Sequence, residues 1–336
     1  MILHPGILAL LLGALVSLAL LGAGAWVGVT IAGNWHPERA DARQLQLERR
    51  SWLAAALIQW GVIFEALSLP LFIYTIDDLH PLFTGAMCAT GTLNANPVGW
   101  HLLWIKLLLF LAGGLWWVAN RLDRQIASAP LTRPRFLALA ALLPLAVADL
   151  AVMTLYFTGL QPEIITSCCG SLFGGNGKGV AAELAALPLR PTIIAFYLAA
   201  GIFGGMLLIC RRWAGGGWRV LLAATSVVFG GVSLVSVVTF ISIYYYRLPN
   251  HHCPFDLLQG HYRFVGYPLY FCLFGALFCG LVPLLLLALR RYPALSPQLP
   301  GIERRWLTAA LCLLGGLAGM VSWPLLFGEF TMKAYF

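Results

Sequence analysis

Residues 7–33 read ILALLLGALVSLALLGAGAWVGVTIAG, a run without one charged side chain. A helix of about 20 apolar residues crosses the hydrocarbon core of a bilayer, so this run is long enough to span one. A secretory leader has a basic start and a shorter apolar core. Here no Lys or Arg precedes the run, and Arg39, Arg43, Arg49 and Arg50 follow it. The segment is therefore expected to be a retained membrane helix with few residues ahead of it.

Seven similar runs follow, at about 52–76, 101–120, 136–158, 191–210, 220–246, 267–289 and 307–327. Backbone groups in lipid must be bonded within the protein, which favours helices for runs of this length. Strands of a membrane barrel are shorter and alternate in polarity. The composition agrees, with 60% apolar and 10% charged residues, against about 25% charged in soluble domains. The expected fold class is an all-α integral membrane protein with about eight transmembrane helices, a single polytopic domain over residues 1–336.

Orientation follows from Lys and Arg, which concentrate on the cytoplasmic side. The connections after helices 1, 3, 5 and 7 hold 15 of the 21 basic residues, and the opposite connections and tail hold 5. The remaining one, Lys106, lies inside a helix. This split predicts both termini on the outer, periplasmic side of a bacterial inner membrane, with three hairpins opening outward. The net charge of +8 is thus mostly a topology signal. No basic helix face or nucleic-acid-binding signature is present, which argues against a nucleic-acid partner. The GGNGKG stretch at 174–179 lacks the Lys-Ser/Thr ending of a phosphate loop. Tyrosines gather on the outer side, as interfacial anchoring predicts.

Four of eight cysteines, Cys210, Cys272, Cys279 and Cys312, fall in or at the ends of helices and read as small buried apolar residues. The other four, Cys88, Cys168, Cys169 and Cys253, all fall in outer loops, where an oxidising compartment favours pairing. One reading is structural: Cys168 or Cys169 bridged to Cys88 and the other to Cys253, stapling the hairpins. Another is catalytic: the four thiols relay a disulfide by thiolate exchange. The stretch HHCPFD at 251–256 adds a third. Thiolate and imidazole suit copper or zinc, so His251, His252 and Cys253 form a candidate metal site, with Cys88, Cys168 and Cys169 as further ligands and His80, His101 and His261 in reserve.

Four outer thiols spread over the loops of a helical bundle resemble, in architecture, the quinone-linked disulfide-forming membrane proteins of the vitamin K epoxide reductase type. That resemblance implies a quinone as cofactor. Those proteins usually have a CxxC pair, and this chain has none.

Three ionisable residues fall within spans: Glu65, Lys106 and Asp149. A charge at mid-bilayer costs at least about 2.5–3.5 kcal/mol on insertion scales, so such residues face the interior and pair. Lys106 is expected to bridge Asp149 or Glu65, and the three are a candidate proton or quinone site. Pro70 and Pro144 lie near the two acids and are expected to bend their helices.

Three functional classes fit. The first is a membrane redox component, possibly a subunit of a larger electron-transfer complex, linking outer thiols to quinone. The second is a metal-handling protein or transporter built on the Cys/His cluster. The third is a non-catalytic anchor subunit whose disulfide-stapled loops dock a periplasmic or membrane protein partner.

Overall fold

The computed structural model of the protein describes residues 2–35, 41–126, 128–161, 163, 180–213, 215–328 and 330. These form α1 (Pro5–Asn34), α2 (Ala42–Asp78), α3 (Ala89–Asn94), α4 (Gly99–Asp123), α5 (Thr132–Thr158), α6 (Val180–Ala185), α7 (Leu189–Arg212), α8 (Gly216–Ser236), α9 (Ser242–Tyr246), α10 (Gly266–Leu289) and α11 (Leu299–Phe327). No strand occurs among the described residues. Eight helices are long and apolar enough to cross a membrane. They make this a multi-pass helical protein suited to a lipid bilayer.

The helices run past their apolar cores. A span expected from about 52 begins at Ala42, because the Asp41 side chain accepts from the Gln44 N–H at 2.9 Å and starts the helix before the lipid-facing stretch. The last span begins at Leu299 rather than near 307, with Pro300 in its first turn, where a missing N–H does no harm. The span expected over 220–246 is not uniformly α-helical. Val237–Ile241 forms a π turn between α8 and α9, in which the Ser242 N–H bonds the Val237 carbonyl.

Packing groups the spans four and four. Unit 1 comprises Met1–Thr84, Thr92–Ile164 and Tyr292–Leu295; unit 2 comprises Gly85–Gly91, Ile165–Arg291 and Ser296–Phe336. In unit 1, α1 packs on α2 and α5, and α4 packs on the same two helices, closing a four-helix ring. Leu21, Ile58, Val62, Leu109, Trp116 and Leu139 fill its centre. In unit 2, α10 packs on α8 and α11, and α7 packs on the same two, a second ring of the same connectivity. Trp26, Trp60, Trp104 and Phe271 point outward, as side chains facing acyl chains do.

Each ring is tied at one end by a buried arginine. In unit 1, Arg135 bonds Asp123 at 3.0 Å and Asn120 Oδ1 at 3.0 Å, while Asp123 accepts from the Leu131 N–H at 2.6 Å. In unit 2, Arg219 grips Glu303 through two bonds of 2.6 and 2.9 Å, and Arg290 adds a third at 3.3 Å. α8 and α10 approach closely where α10 has Gly280. A Cβ there would stand 2.2 Å from Ser226 Oγ and 3.0 Å from the Phe203 ring.

Candidate functional site

The chemistry-bearing side chains of unit 2 gather on the loop between α9 and α10. Arg247 ends α9 in the left-handed region (φ 57°) and turns the chain sharply away. Arg263 and Phe264, at φ 54° and 55°, turn it back into α10. Non-glycine residues seldom adopt this conformation, so the loop is held at both ends by backbone the surrounding contacts impose. At its return, Gly266 allows close approach: a Cβ there would meet the Leu257 carbonyl carbon at 2.8 Å.

Inside this loop Cys253 is fully buried, and Cys88, arriving just ahead of α3, is 1% exposed. Their Sγ atoms are 3.2 Å apart. The Thr90 hydroxyl lies 3.5 Å from the Cys253 sulfur. Two tyrosines fix the loop backbone: Tyr246 donates to the Cys253 carbonyl at 2.5 Å and Tyr270 to the Pro254 carbonyl at 2.7 Å. The Gln259 amide donates to the Met87 carbonyl at 3.2 Å, joining the two segments that hold the cysteines.

Asp256 completes the group. Its carboxylate and the two sulfurs offer donor atoms all within 4.8 Å of one another. One carboxylate oxygen bonds His251 Nε2, while Oδ1 is buried with no hydrogen-bond partner. Burial holds the Asp256 carboxyl above the usual carboxylate range, against the lowering pull of His251. The bond to Asp256 raises His251 in turn, more than desolvation lowers it. His251 also stands edge-on to Tyr246, with centroids 4.8 Å apart.

His252 does something different. Its Nδ1 lies 2.9 Å from the Val238 carbonyl, inside the π turn. Because the Ser242 N–H goes to Val237 there, the Val238 carbonyl is turned from its usual helical donor toward the imidazole. Such turns often mark functional positions in helices. Desolvation lowers His252, which keeps the ring neutral with Nδ1 donating.

Of the metal ligands expected from HHCPFD, Cys253 lies among converging donors, but His251 reaches them only through Asp256. His252 is bonded to backbone. Thr90 has no signal in the sequence, whereas Asp256 is the carboxylate of the HHCPFD stretch, though not among its expected metal ligands. Cys168 and Cys169 lie outside the described residues. Among the reserve histidines, His80 bonds the Asp77 carbonyl, and His101 and His261 are exposed.

Unit 1 has its own polar cluster. Lys106, fully buried, donates to Asp149 Oδ2 at 3.0 Å and to Ser68 Oγ at 3.3 Å. Its ammonium also lies 5.8 Å from the centroid of the Phe72 ring. Glu65 is 3% exposed and within electrostatic reach of both Lys106 and Asp149. Of the two acids, Asp149 holds the direct ion pair. Both proline-containing helices run through without a break, Pro70 in α2 and Pro144 in α5.

Comparison with protein-family models, curated proteins and solved structures finds no match.

Proposed function

We propose that the protein is a membrane redox component whose working couple is the Cys88/Cys253 dithiol and its disulfide. The observation that carries this reading is the 3.2 Å separation of two buried sulfurs from loops far apart in sequence. A disulfide needs about 2.05 Å, so a small side-chain rotation closes the bond. Two thiolates on one tetrahedral zinc, with bonds of about 2.3 Å, stand about 3.8 Å apart. The spacing here is shorter and favours sulfur–sulfur chemistry.

The neighbours supply what that chemistry needs. A thiol reacts as its thiolate, so one sulfur must lose a proton. The Asp256 carboxylate is placed to take it and pass it to His251, which is partly open to the outside of the loop. Oxidation converts two thiols to one disulfide and releases two electrons and two protons. A membrane quinone accepts both pairs and leaves as hydroquinone, which balances the reaction. Burial of both sulfurs restricts the direct partner to a small, lipid-soluble oxidant or to Cys168 and Cys169 of the same chain. The arginine bias supports an assignment of this site to the periplasmic side of a bacterial inner membrane.

The test uses the full-length protein in lipid nanodiscs, reduced and then mixed with a short-chain quinone. Alkylation and mass spectrometry before and after reduction should reveal a Cys88–Cys253 linked peptide, with one hydroquinone formed per link. Cys253→Ser should abolish both. Cysteines that remain separately alkylated after quinone addition would sink the reading.

A second reading rests on the convergence of two sulfurs and a carboxylate within 4.8 Å and on the unpartnered Oδ1 of Asp256. These donors suit zinc or copper, with His251 orienting the carboxylate from behind. Protein purified without chelator should then contain one metal ion per chain, lost in Asp256→Asn. Metal-free wild-type protein would exclude it.

A further inference from the structure

Every helix of the ring in unit 1 contributes to the cluster. Ser17 comes from α1, Glu65 and Ser68 from α2, Lys106 from α4 and Asp149 from α5. Lys106 and Asp149 neutralise each other at 3.0 Å. Glu65 has no cation of its own. The hydroxyls nearest its carboxyl are Ser17 and Ser68, and both have spent their single hydrogen on backbone: Ser17 donates to the Gly61 carbonyl at 3.3 Å and Ser68 to the Glu65 carbonyl at 2.8 Å. Both also stand within hydrogen-bond reach of the Glu65 carboxyl, but a hydroxyl has one hydrogen to give, whereas a protonated Glu65 can donate to either serine oxygen. Glu65 Oε2 and Asp149 Oδ1 are both buried without any hydrogen-bond partner.

Two acids, one ammonium and two orphaned oxygens define what is missing. An ionised Glu65 would be a buried charge with no cation of its own and with one oxygen unpartnered, which is strongly unfavourable. We infer that Glu65 is a proton-binding site within the membrane-spanning bundle, holding one exchangeable proton directed at Asp149, with Lys106 as the fixed countercharge. A metal cation does not fit the same place, because Lys106 already fills the position of the cation and would repel a second one. No other charged group intervenes from the packed helices. α1 has none along its length. The other charged residues of α2 lie toward its ends, Arg121 and Asp123 lie at the far end of α4, and Arg133 and Arg135 at the far end of α5. His101 on α4 is exposed, and Tyr156 on α5 donates to the Thr92 carbonyl. This site is independent of the thiol reading and stands or falls without it.

Infrared difference spectroscopy of the full-length protein in lipid nanodiscs tests it directly. At neutral pH the wild type should show the C=O stretching band of a protonated carboxylic acid that shifts on exchange into D2O and is missing in Glu65→Gln. Lys106→Met removes the countercharge, so Asp149 should also take a proton and the band should roughly double. A wild type without the band, a band that survives Glu65→Gln, or Lys106→Met with an unchanged band would each overturn the assignment.

Discussion

Asp149→Asn is expected to lower the unfolding free energy of the protein in detergent, and Asp149→Asn with Glu65→Gln to lower it by more than the two single changes together. Breaking a buried ion pair from one side costs about 3–5 kcal/mol, because the remaining charge is left uncompensated. Lys106 is fully buried and bonded to Asp149 at 3.0 Å, so the single change should approach that range. It should not reach the top of it. Glu65 lies within electrostatic reach of Lys106 and can give up its proton to become the new counterion. Glu65→Gln alone leaves the Lys106–Asp149 pair intact and should cost little. With both acids gone, Lys106 has only the Ser68 oxygen and the face of Phe72, and the full penalty appears. Well-separated changes add within about 0.5 kcal/mol. Chemical denaturation of the four proteins that gave plain additivity would show that Glu65 does not back up the pair.

That redundancy explains which parts of the molecule were legible in the sequence. Eight spans were readable because lipid demands long uncharged helices, and a Lys or Asp inside such a run stands out at once. Glu65, Lys106 and Asp149 were therefore visible as a group. Which acid Lys106 prefers depends on the depth and rotation of three helices, and apolar runs do not encode those. The reverse held in the loops. Thr90 lies in α3 and Asp256 closes HHCPFD, each within three residues of a cysteine, but nothing in the sequence shows that both face the same pair of sulfurs. Four outer cysteines allow three pairings, so the approach of Cys88 to Cys253 across 165 positions is a fact of tertiary structure alone. The π turn at Val237–Ile241 is written in β-branched and aromatic residues that fit an α-helix of a membrane protein equally well. Its consequence, a carbonyl aimed at His252, emerges only when the helix and the following loop are seen together.

The second large effect is expected at the arginine tie of unit 2. Sequence alone counted Arg219 and Arg290 as topology charges and left Glu303 without a role. In the folded chain Arg219 is 2% exposed and bonded to both carboxylate oxygens of Glu303, whereas Arg290 is 31% exposed and bonds one of them at 3.3 Å. Bidentate geometry in a buried setting makes the first contact strong, and solvent screening makes the second weak, worth about 0–1 kcal/mol. Glu303→Ala should therefore destabilise the protein by about 3–5 kcal/mol, since it leaves the Arg219 guanidinium buried without its carboxylate counterion. Arg290→Ala should cost under about 1 kcal/mol. Replacing both members of the buried pair, Arg219→Met with Glu303→Leu, should recover most of the loss, because apolar side chains of similar volume need no counterion. The measurement is chemical denaturation of the wild type and the three variants in one detergent. Equal losses for Glu303→Ala and Arg290→Ala would mean that the bidentate contact does not hold α8 to α11.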